Sequence, residues 1–505
     1  MFRVDPKQAV LSHISTNAEG ATGTLGADAE TVARAPIAPA ISHKLVSGFA
    51  QLVEAALLLS LGLGIYLFYL NGVDAVLYVP LSLGIVAAAN IAFNIARTHR
   101  IAAYRTVFKQ VLRVLGGWAG VFLLVVAGLF VFKAGDLVSR VWLGSWALSG
   151  GVLLICYRLA LRALVLDWST KGRLRRRTVI VGGGAGAEAL VTAIEKSATS
   201  DIELIGLFDD RDDERSPGAV AGLKKLGKVA DLIEFARRAR IDLVIVSMPL
   251  SAESRLLEML RQLWVLPVDI RLSAHMSKLR FTDKTYSYVG DLPVFEMADR
   301  PISDWNLVFK WVFDKLVAVF ALIVLSPLML ATAIAIKATS KGPILFRQNR
   351  HGFNNELIEV YKFRSMYTDM SDAKASKLVT RDDPRVTPIG RFIRKTSIDE
   401  LPQLFNVLKG ELSIVGPRPH ALEAKAANRL YHDAVDGYFA RHKVRPGITG
   451  WAQINGWRGE TDTVDKLMAR VDHDLYYIEN WSILLDLYIL VMTPVSLFTK
   501  NENAF

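Results

Sequence analysis

Two adjacent carboxylates, Asp399 and Glu400, are the residues of this chain whose type and spacing most directly suggest chemistry. A basic run at 391–395 precedes them, and a basic, proline-rich turn at 416–419 follows. An ionised aspartate can act as a nucleophile, and cations on both sides suit an anionic substrate. This stretch therefore predicts a site that handles phosphate groups.

The carboxylates should lie in or just before the first turn of a helix. Apolar residues recur at helical spacing from Leu401, and Pro402 fits only a first turn. There the helix dipole and the neighbouring cations keep a carboxylate ionised at pH 7. Residues 397–400 also have the pattern of a capping box, in which Glu400 would bond back to the backbone. These four residues leave both interpretations open.

Four further motifs accompany the pair: FRQNRHG at 346–352, YKFRSM at 361–366, DPRVTPIG at 383–390 and VRPGITGWAQING at 444–456. In this order, over residues 311–490, the chain resembles the bacterial sugar transferase family. Its large monotopic phosphoglycosyl transferases move a sugar 1-phosphate from a UDP-sugar onto a polyprenyl phosphate.

The resemblance implies that Asp399 attacks the sugar-side phosphorus of the UDP-sugar, expels UMP and carries a covalent phosphosugar until the prenyl phosphate attacks. Glu400 is the second catalytic carboxylate, and Asp399 and Glu400 are the expected ligands of Mg²⁺. Basic residues should hold the diphosphate. The candidates are Lys362, Arg364, Arg394, Arg418 and Arg445.

The segments 456–463 and 474–481 resemble family members that transfer glucose 1-phosphate to undecaprenyl phosphate at the start of exopolysaccharide synthesis. UDP-glucose is therefore the expected donor. UDP-galactose is the close alternative, because one or two side chains can decide between epimers.

Composition indicates a multidomain membrane protein, because 505 residues with 51% hydrophobic content exceed one soluble domain. The net charge of +11 does not indicate a nucleic-acid partner, since the lysines and arginines lie beside apolar runs and around Asp399. The lone cysteine, Cys156, excludes an internal disulfide, and its apolar surroundings predict a buried thiol.

Residues 1–43 are rich in Ala, Gly, Thr and Pro and predict a disordered N-terminal tail. Residues 44–170 contain four apolar runs long enough to form a four-helix transmembrane bundle. Glu54 lies in the first run and is expected to snorkel or to pair with another helix. Bases cluster in the second loop and after the fourth run, so both ends should face the cytoplasm. We expect a multi-pass protein of the bacterial inner membrane whose catalytic domain faces the cytoplasm.

Residues 171–300 alternate strand and helix patterns and predict a doubly wound, Rossmann-like cytoplasmic domain. The glycine fingerprint begins after the first strand, so Gly182, Gly184 and Asp209 are candidate nucleotide-binding residues. The resemblance implies a CoA-binding-like domain without a redox task, which favours structure or regulation. A bound nucleotide stays open.

Residues 301–505 should form the α/β catalytic domain. Its apolar run has Ser326-Pro327 near the middle and lysines at both ends, which predicts a re-entrant membrane hairpin over 312–340. A fifth crossing with a proline kink is the alternative. The C-terminal run, 481–498, should be an interfacial helix.

Two other function classes remain as alternatives. Membrane-anchored nucleotide-sugar dehydratases or epimerases also place helices before a Rossmann domain, but no tyrosine here has a lysine four residues later for their proton transfer. A transporter would need more intramembrane charge. A homodimer is the assembly to be tested.

Overall fold

The computed structural model describes residues 25–35, 41–99, 101–105, 107–196, 201–211, 219–248, 253–273, 287–289, 292–368, 383–420, 425–426, 429–431, 435, 438–457, 459 and 463–499. The chain forms two compact units. One is Pro36–Arg176, and the other combines Met1–Ala35 with Arg177–Phe505.

Part of the predicted disordered tail is an ordered helix, α1 (Ala27–Arg34). Its buried face packs on the α/β region, where Leu25, Ala29 and Ala33 meet Leu226 and Leu232. The prediction of disorder is therefore wrong for this segment, because a surface some 200 residues further along completes its sparse apolar pattern. The rest of the tail up to 40 lies outside the described residues, apart from 25–26 and 35.

The unit Pro36–Arg176 is helical. Its helices are α2 (His43–Leu70), α3 (Ala75–Ile95), α4 (Ile101–Arg105), α5 (Val107–Val131) and α6 (Arg140–Thr170). Four of these are long and apolar enough to cross a membrane. A fifth such helix of the described residues lies in the other unit, at Asp304–Thr339. The chain is therefore a membrane protein with five candidate spans.

Glu54 is paired inside the helical unit and does not snorkel. It is buried on α2, and its oxygens lie 2.7 Å from Nη2 of Arg158 on α6 and 2.6 Å from Nε2 of His99. The predicted pairing with another helix is confirmed. Cys156 on α6 is exposed, so its predicted burial is wrong. It falls off the buried stripe that contains Leu154 and Arg158.

The α/β region contains one eight-stranded sheet. Its strands are β1 (Arg176–Val181), β2 (Ile202–Phe208), β3 (Ala219–Val220), β4 (Leu223–Gly227), β5 (Leu243–Val246), β6 (Asp269–Ser273), β7 (Ser287–Val289) and β8 (Leu292–Ala298). Their order is β3-β4-β2-β1-β5-β6-β8-β7. β1, β5 and β6 are parallel, as is the pair β2–β4.

Helices cover both faces of this sheet. They are α7 (Ala185–Lys196), α8 (Val229–Arg238) and α9 (Glu253–Leu263). In β1, Ile180 packs with α7, whereas Val179 and Val181 pack with α8 and α9. Successive strand residues point to opposite faces, so a continuous apolar run buries both. The doubly wound arrangement agrees with the prediction for 171–300.

The region predicted to be catalytic, 301–505, has short elements around one long helix. The helices are α10 (Asp304–Thr339), α11 (Pro388–Lys395), α12 (Gln403–Lys409), α13 (Trp451–Ile454), α14 (Val464–Glu479) and α15 (Ile483–Thr499). The strands are β9 (Leu345–His351), β10 (Leu357–Phe363), β11 (Ser413–Val415), β12 (Lys425–Ala426), β13 (Arg429–Leu430) and β14 (Gly447–Thr449). Three 3₁₀ turns, Phe353–Asn355, Ile398–Glu400 and Tyr438–Lys443, join them.

Helix α10 runs through Pro327 as one element. Near its start, Lys310 donates to the carbonyl of Val415 at 2.9 Å, and near its end Ile336 packs on Phe363. Its middle exposes apolar side chains, including Phe320. Both ends are thus held by the same region. The re-entrant hairpin is not confirmed by this helix and stays a prediction.

Helix α15 has a buried polar anchor and an exposed apolar face. Asp486 is fully buried, 2.6 Å from Nζ of Lys310 and 2.7 Å from the hydroxyl of Tyr477. Leu484 and Val491 are exposed. This division is typical of a helix that lies along an interface, and the interfacial position of 481–498 stays a prediction.

Candidate active site

The β9–β10 hairpin separates two sets of basic residues. Lys362 lies opposite Phe346, and Tyr361 lies opposite Arg347. Opposite residues share a face and neighbours along a strand alternate, so Arg350 is on the face of Lys362. Arg347 is on the other face, with its guanidinium 5.6 Å from the centre of the Tyr361 ring.

Asn406 ties this hairpin to α12. Its side chain is fully buried and accepts from the backbone N–H of Tyr361 at 3.0 Å. Its amide nitrogen donates to the carbonyl of Glu359 at 2.7 Å and to Glu411 at 2.6 Å. Lys362, the next residue of β10, is thereby brought to the turn that precedes α12.

The backbone of the turn at 416–419 packs directly on the backbone of a second turn, which lies at 445–447. The N–H of Gly416 donates to Thr449 and that of Gly447 donates to Pro417, both at 2.9 Å. A Cβ on Gly416 would lie 2.5 Å from the carbonyl oxygen of Arg445. Glycine is therefore required at this approach, and the two turns form one rigid base for Arg418.

Glu400 is held by two cations. Nζ of Lys362 lies 2.8 Å from Oε1, and Nη1 of Arg418 lies 2.9 Å from Oε2, with a second Arg418 bond to Oε1. Burial alone would raise the pKa of Glu400, but the charges of Arg418 and then Lys362 outweigh it and keep the pKa well below its usual value. Glu400 is therefore ionised and fixed.

Asp399 is buried beside this cluster, yet its carboxylate makes no hydrogen bond or ion pair with any of the described residues. Burial raises the pKa of Asp399 to about 6, against the opposing charges of Lys362 and Arg394. A carboxylate with that pKa is mostly ionised at pH 7. Of the two adjacent carboxylates, Asp399 is the one without a hydrogen-bonding partner among the described residues.

The capping box at 397–400 does not form. Ser397 adopts φ 58° and its side chain makes no capping bond to the turn. The carboxylate of Glu400 is directed to Lys362 and Arg418 instead of the backbone. The turn does precede a helix, since α12 begins directly after Pro402, as the sequence predicts.

The other three basic candidates occupy different places. Arg364 is buried and donates to the carbonyls of Ser340 at 2.9 Å and Lys341 at 2.7 Å, so it closes the end of α10. Arg394 lies near enough for its charge to lower the pKa of Asp399. Arg445 is exposed. Lys362 and Arg418 are thus the pair that directly contacts a predicted catalytic residue.

The glycine fingerprint of the α/β region is a self-contained turn. Gly182 and Gly184 have φ of +92° and +89°. Asp209 is buried, and its two oxygens accept from the backbone N–H groups of Gly183 at 2.9 Å and Arg211 at 3.2 Å. This carboxylate therefore organises its own loop.

No group of three or more metal-ligating side chains is present among the residues the structure describes. Asp399 and Glu400 nevertheless supply adjacent carboxylates, and Mg²⁺ is commonly bound by one or two carboxylates together with substrate phosphates. The donor set fits a metal that arrives with a diphosphate.

Three residues of the site were not singled out from the sequence. Arg350 could have been found from strand alternation, because it shares a face with Lys362. Asn406 and Arg441 had no such signal. Arg441 is fully buried and donates to the carbonyl of Arg418 at 2.7 Å and to Asp474 at 2.6 Å.

Comparison with known proteins finds two family models that match parts of this chain. Residues 305–500 match the family model of the bacterial sugar transferases, and residues 95–274 match that of a CoA-binding domain.

Three curated relatives extend over most of the chain. The UDP-glucose:undecaprenyl-phosphate glucose-1-phosphate transferase of Klebsiella pneumoniae is 37% identical over 400 residues, which cover 78% of this chain and 83% of that protein. The protein of the same name from Xanthomonas campestris pv. campestris is 34% identical over 407 residues, or 80% and 84%. The undecaprenyl-phosphate glucose phosphotransferase of Komagataeibacter xylinus is 43% identical over 331 residues, or 65% of this chain and 60% of that longer relative. The chain belongs to the bacterial sugar transferase family.

Proposed function

We propose that this protein transfers glucose 1-phosphate from UDP-glucose to undecaprenyl phosphate, which begins exopolysaccharide synthesis. In the first step a carboxylate oxygen of Asp399 attacks the sugar-side phosphorus, and the bond from that phosphorus to the oxygen of UMP breaks. In the second, a phosphate oxygen of the prenyl phosphate attacks the same phosphorus and releases Asp399. The glycosidic C–O bond is never broken, so the anomeric configuration is retained.

The observation that carries the proposal is the difference in bonding between the two adjacent carboxylates. Glu400 is engaged by Lys362 and Arg418, whereas Asp399 is buried and has no hydrogen-bonding partner among the described residues. A nucleophile needs an accessible lone pair and a fixed position, and a desolvated carboxylate is more reactive than a hydrated one. Lys362 and Arg418 would stabilise the charge on the transferring phosphoryl group.

Mg²⁺ is the proposed cofactor, with Asp399 and Glu400 as its protein ligands. When bound it would neutralise charge on the diphosphate. The residues of the chain orient that diphosphate: Arg418 is held on its rigid turn, and Lys362 is positioned by the strand that Asn406 fixes.

The proposed sugar is glucose, because three relatives are named for glucose transfer. UDP-galactose is the alternative donor, and a panel of UDP-sugars with purified protein and undecaprenyl phosphate, read by UMP release, decides between them. If kcat/KM for UMP release is higher with UDP-galactose than with UDP-glucose, galactose replaces glucose as the proposed sugar.

The proposed location is the bacterial inner membrane, with the active site in the cytoplasm and residues 312–340 as a re-entrant hairpin. Both ends of α10 pack on the same catalytic region, which supports the hairpin. Single cysteines introduced at exposed positions near Lys310 and Lys341 should both be protected from impermeant thiol reagents in intact cells. Labelling at one end alone would establish a crossing instead.

The covalent step is tested by acid quench of wild-type protein given labelled UDP-glucose and Mg²⁺ without lipid acceptor. We expect a phosphosugar on the peptide that contains Asp399 and release of one UMP per adduct. If UMP appears only after prenyl phosphate is added and residue 399 never carries label, transfer is direct and Asp399 has another role.

A further inference from the structure

Two arginines near Arg418, namely Arg350 and Arg470, form no ion pair with a carboxylate of the described residues. Arg350 donates to the carbonyl of Pro419 at 2.6 Å and to Oε1 of Gln348 at 2.9 Å, and both acceptors are neutral. Arg470 on α14 is only 2% exposed. Its sole hydrogen bond within the described structure is to the carbonyl of Gly459 at 3.3 Å, and Nε and Nη2 are buried without acceptors.

The carboxylates nearby are engaged by other cations. Glu400 is bonded to Lys362 and Arg418. Asp474, one helical turn after Arg470, accepts from Arg441 at 2.6 Å. Neither acid is therefore the dedicated partner of Arg350 or Arg470.

The two arginines belong to the same cluster as Arg418. Arg441 donates to the backbone carbonyl of Arg418, and its Nη1 lies 2.6 Å from Nδ1 of His420. Burial and then the charges of Arg441, Arg470 and Arg350 keep the pKa of His420 well below its usual value, so this imidazole is neutral. Arg350 lies near enough to Arg418 for the two charges to interact.

The charges of this cluster do not balance. Its described cationic side chains are Arg350, Lys362, Arg394, Arg418, Arg441 and Arg470, and its described carboxylates are Asp399, Glu400 and Asp474. The described cations therefore outnumber the described carboxylates. Buried unpaired charge is costly to a protein, and such an excess is retained where an anion from outside completes it.

We propose that Arg350 and Arg470 bind substrate phosphate and thus form a second phosphate-binding pair beside Lys362 and Arg418. This excess of positive charge suits the negative charges of a nucleotide-sugar diphosphate. Guanidinium groups bind phosphate oxygens in bidentate fashion, which suits the free nitrogens of Arg470. This inference rests on the proposed function, because it assigns residues to that substrate.

Binding of UDP and of uridine to the full-length protein tests the pair without turnover. Arg350→Gln and Arg470→Gln should each weaken UDP binding about tenfold or more while uridine binding stays unchanged. Each variant has a control on its own element. Arg347→Gln removes a base from the opposite face of β9, and Lys466→Gln removes an exposed base one turn earlier on α14, and both should bind UDP as wild type does.

The two half-reactions show which phosphate is bound. Slower adduct formation from UDP-glucose in the arginine variants assigns the pair to the nucleotide diphosphate. Normal adduct formation with slower discharge by undecaprenyl phosphate assigns it to the acceptor phosphate. If both half-reactions and UDP binding are those of wild type, the inference is overturned.

Thermal unfolding separates phosphate binding from a structural role. Because Arg470 has one weak hydrogen bond, Arg470→Gln should keep the melting temperature of the ligand-free protein but lose the increase that UDP produces in wild type. If Arg470→Gln does not fold, Arg470→Lys and Arg350→Gln provide the same comparison, and wild-type UDP affinity together with wild-type half-reactions in both variants overturns the inference. If wild type itself forms no adduct and binds no UDP, the proposed function fails instead.

Discussion

Two buried aspartates of this protein are used in opposite ways. Asp209 in the α/β region is 3% exposed, and backbone N–H groups of its own loop occupy both its oxygens. Asp399 in the catalytic region is 8% exposed, and its carboxylate is surrounded by charges but bonded to none of the described residues. A satisfied carboxylate stabilises its loop, whereas an unsatisfied one is available for chemistry.

The largest effect is expected at Asp399. Asp399→Asn keeps the shape of the side chain but removes the nucleophile, so transfer should fall at least about 10³-fold and no adduct should form. UMP release measures transfer, and the mass of the peptide containing residue 399 shows whether an adduct forms. Near wild-type turnover in the Asp399→Asn protein would show that Asp399 is not the nucleophile.

The matched control is Asp209→Asn. The amide keeps one acceptor oxygen, so we expect a loss of about 1–2 kcal/mol in the free energy of unfolding and transfer within about twofold of wild type. Denaturant unfolding and UMP release provide the two values. Loss of transfer in a folded Asp209→Asn protein would give the α/β region a catalytic task.

A smaller effect is expected for Glu400→Gln. The amide leaves Lys362 and Arg418 without a negative partner and weakens metal binding, so kcat should fall about 10²-fold. Glu359→Gln is the control, because the Glu359 side chain pairs, among the described residues, only with the exposed Arg347, so its loss should change activity little. Equal effects of the two substitutions would contradict a special role for Glu400.

The pH dependence of kcat/KM should follow Asp399. Its pKa is raised to about 6, so the reactive ionised form is lost as pH falls through that value. We expect kcat/KM to fall about tenfold between pH 7 and pH 5, since this ratio reports ionisations of the free enzyme. A profile that is flat over this range would show that Asp399 stays ionised to lower pH.

The smallest effect on chemistry is expected at the glycine fingerprint. Gly184→Ala places a Cβ at φ +89°, which should cost about 1–2 kcal/mol of stability but leave transfer unchanged. Unfolding and UMP release measured on the same preparation test both. A folded Gly184→Ala protein without transfer would indicate that the α/β region is coupled to catalysis.

Local pattern predicted the elements of this fold well. Apolar runs between 44 and 170 and the helix after Pro402 appear where length and spacing place them. Helix α1 was missed, because its few apolar residues become a buried face only when they pack with Leu226 and Leu232. Cys156 was placed wrongly since an apolar run does not reveal which helix face is buried.

The sequence by itself determined the chemistry of the site: the adjacent carboxylates Asp399 and Glu400, the basic residues beside them and the stiff glycine-proline turns. Only the tertiary structure decided which carboxylate is engaged. Arg418 and Lys362 reach Glu400 from different strands and turns, and Arg364, an equally plausible phosphate ligand by type, instead closes the end of α10. A residue's type sets what it can bind, but its partner depends on distances of a few ångströms between segments far apart in the chain.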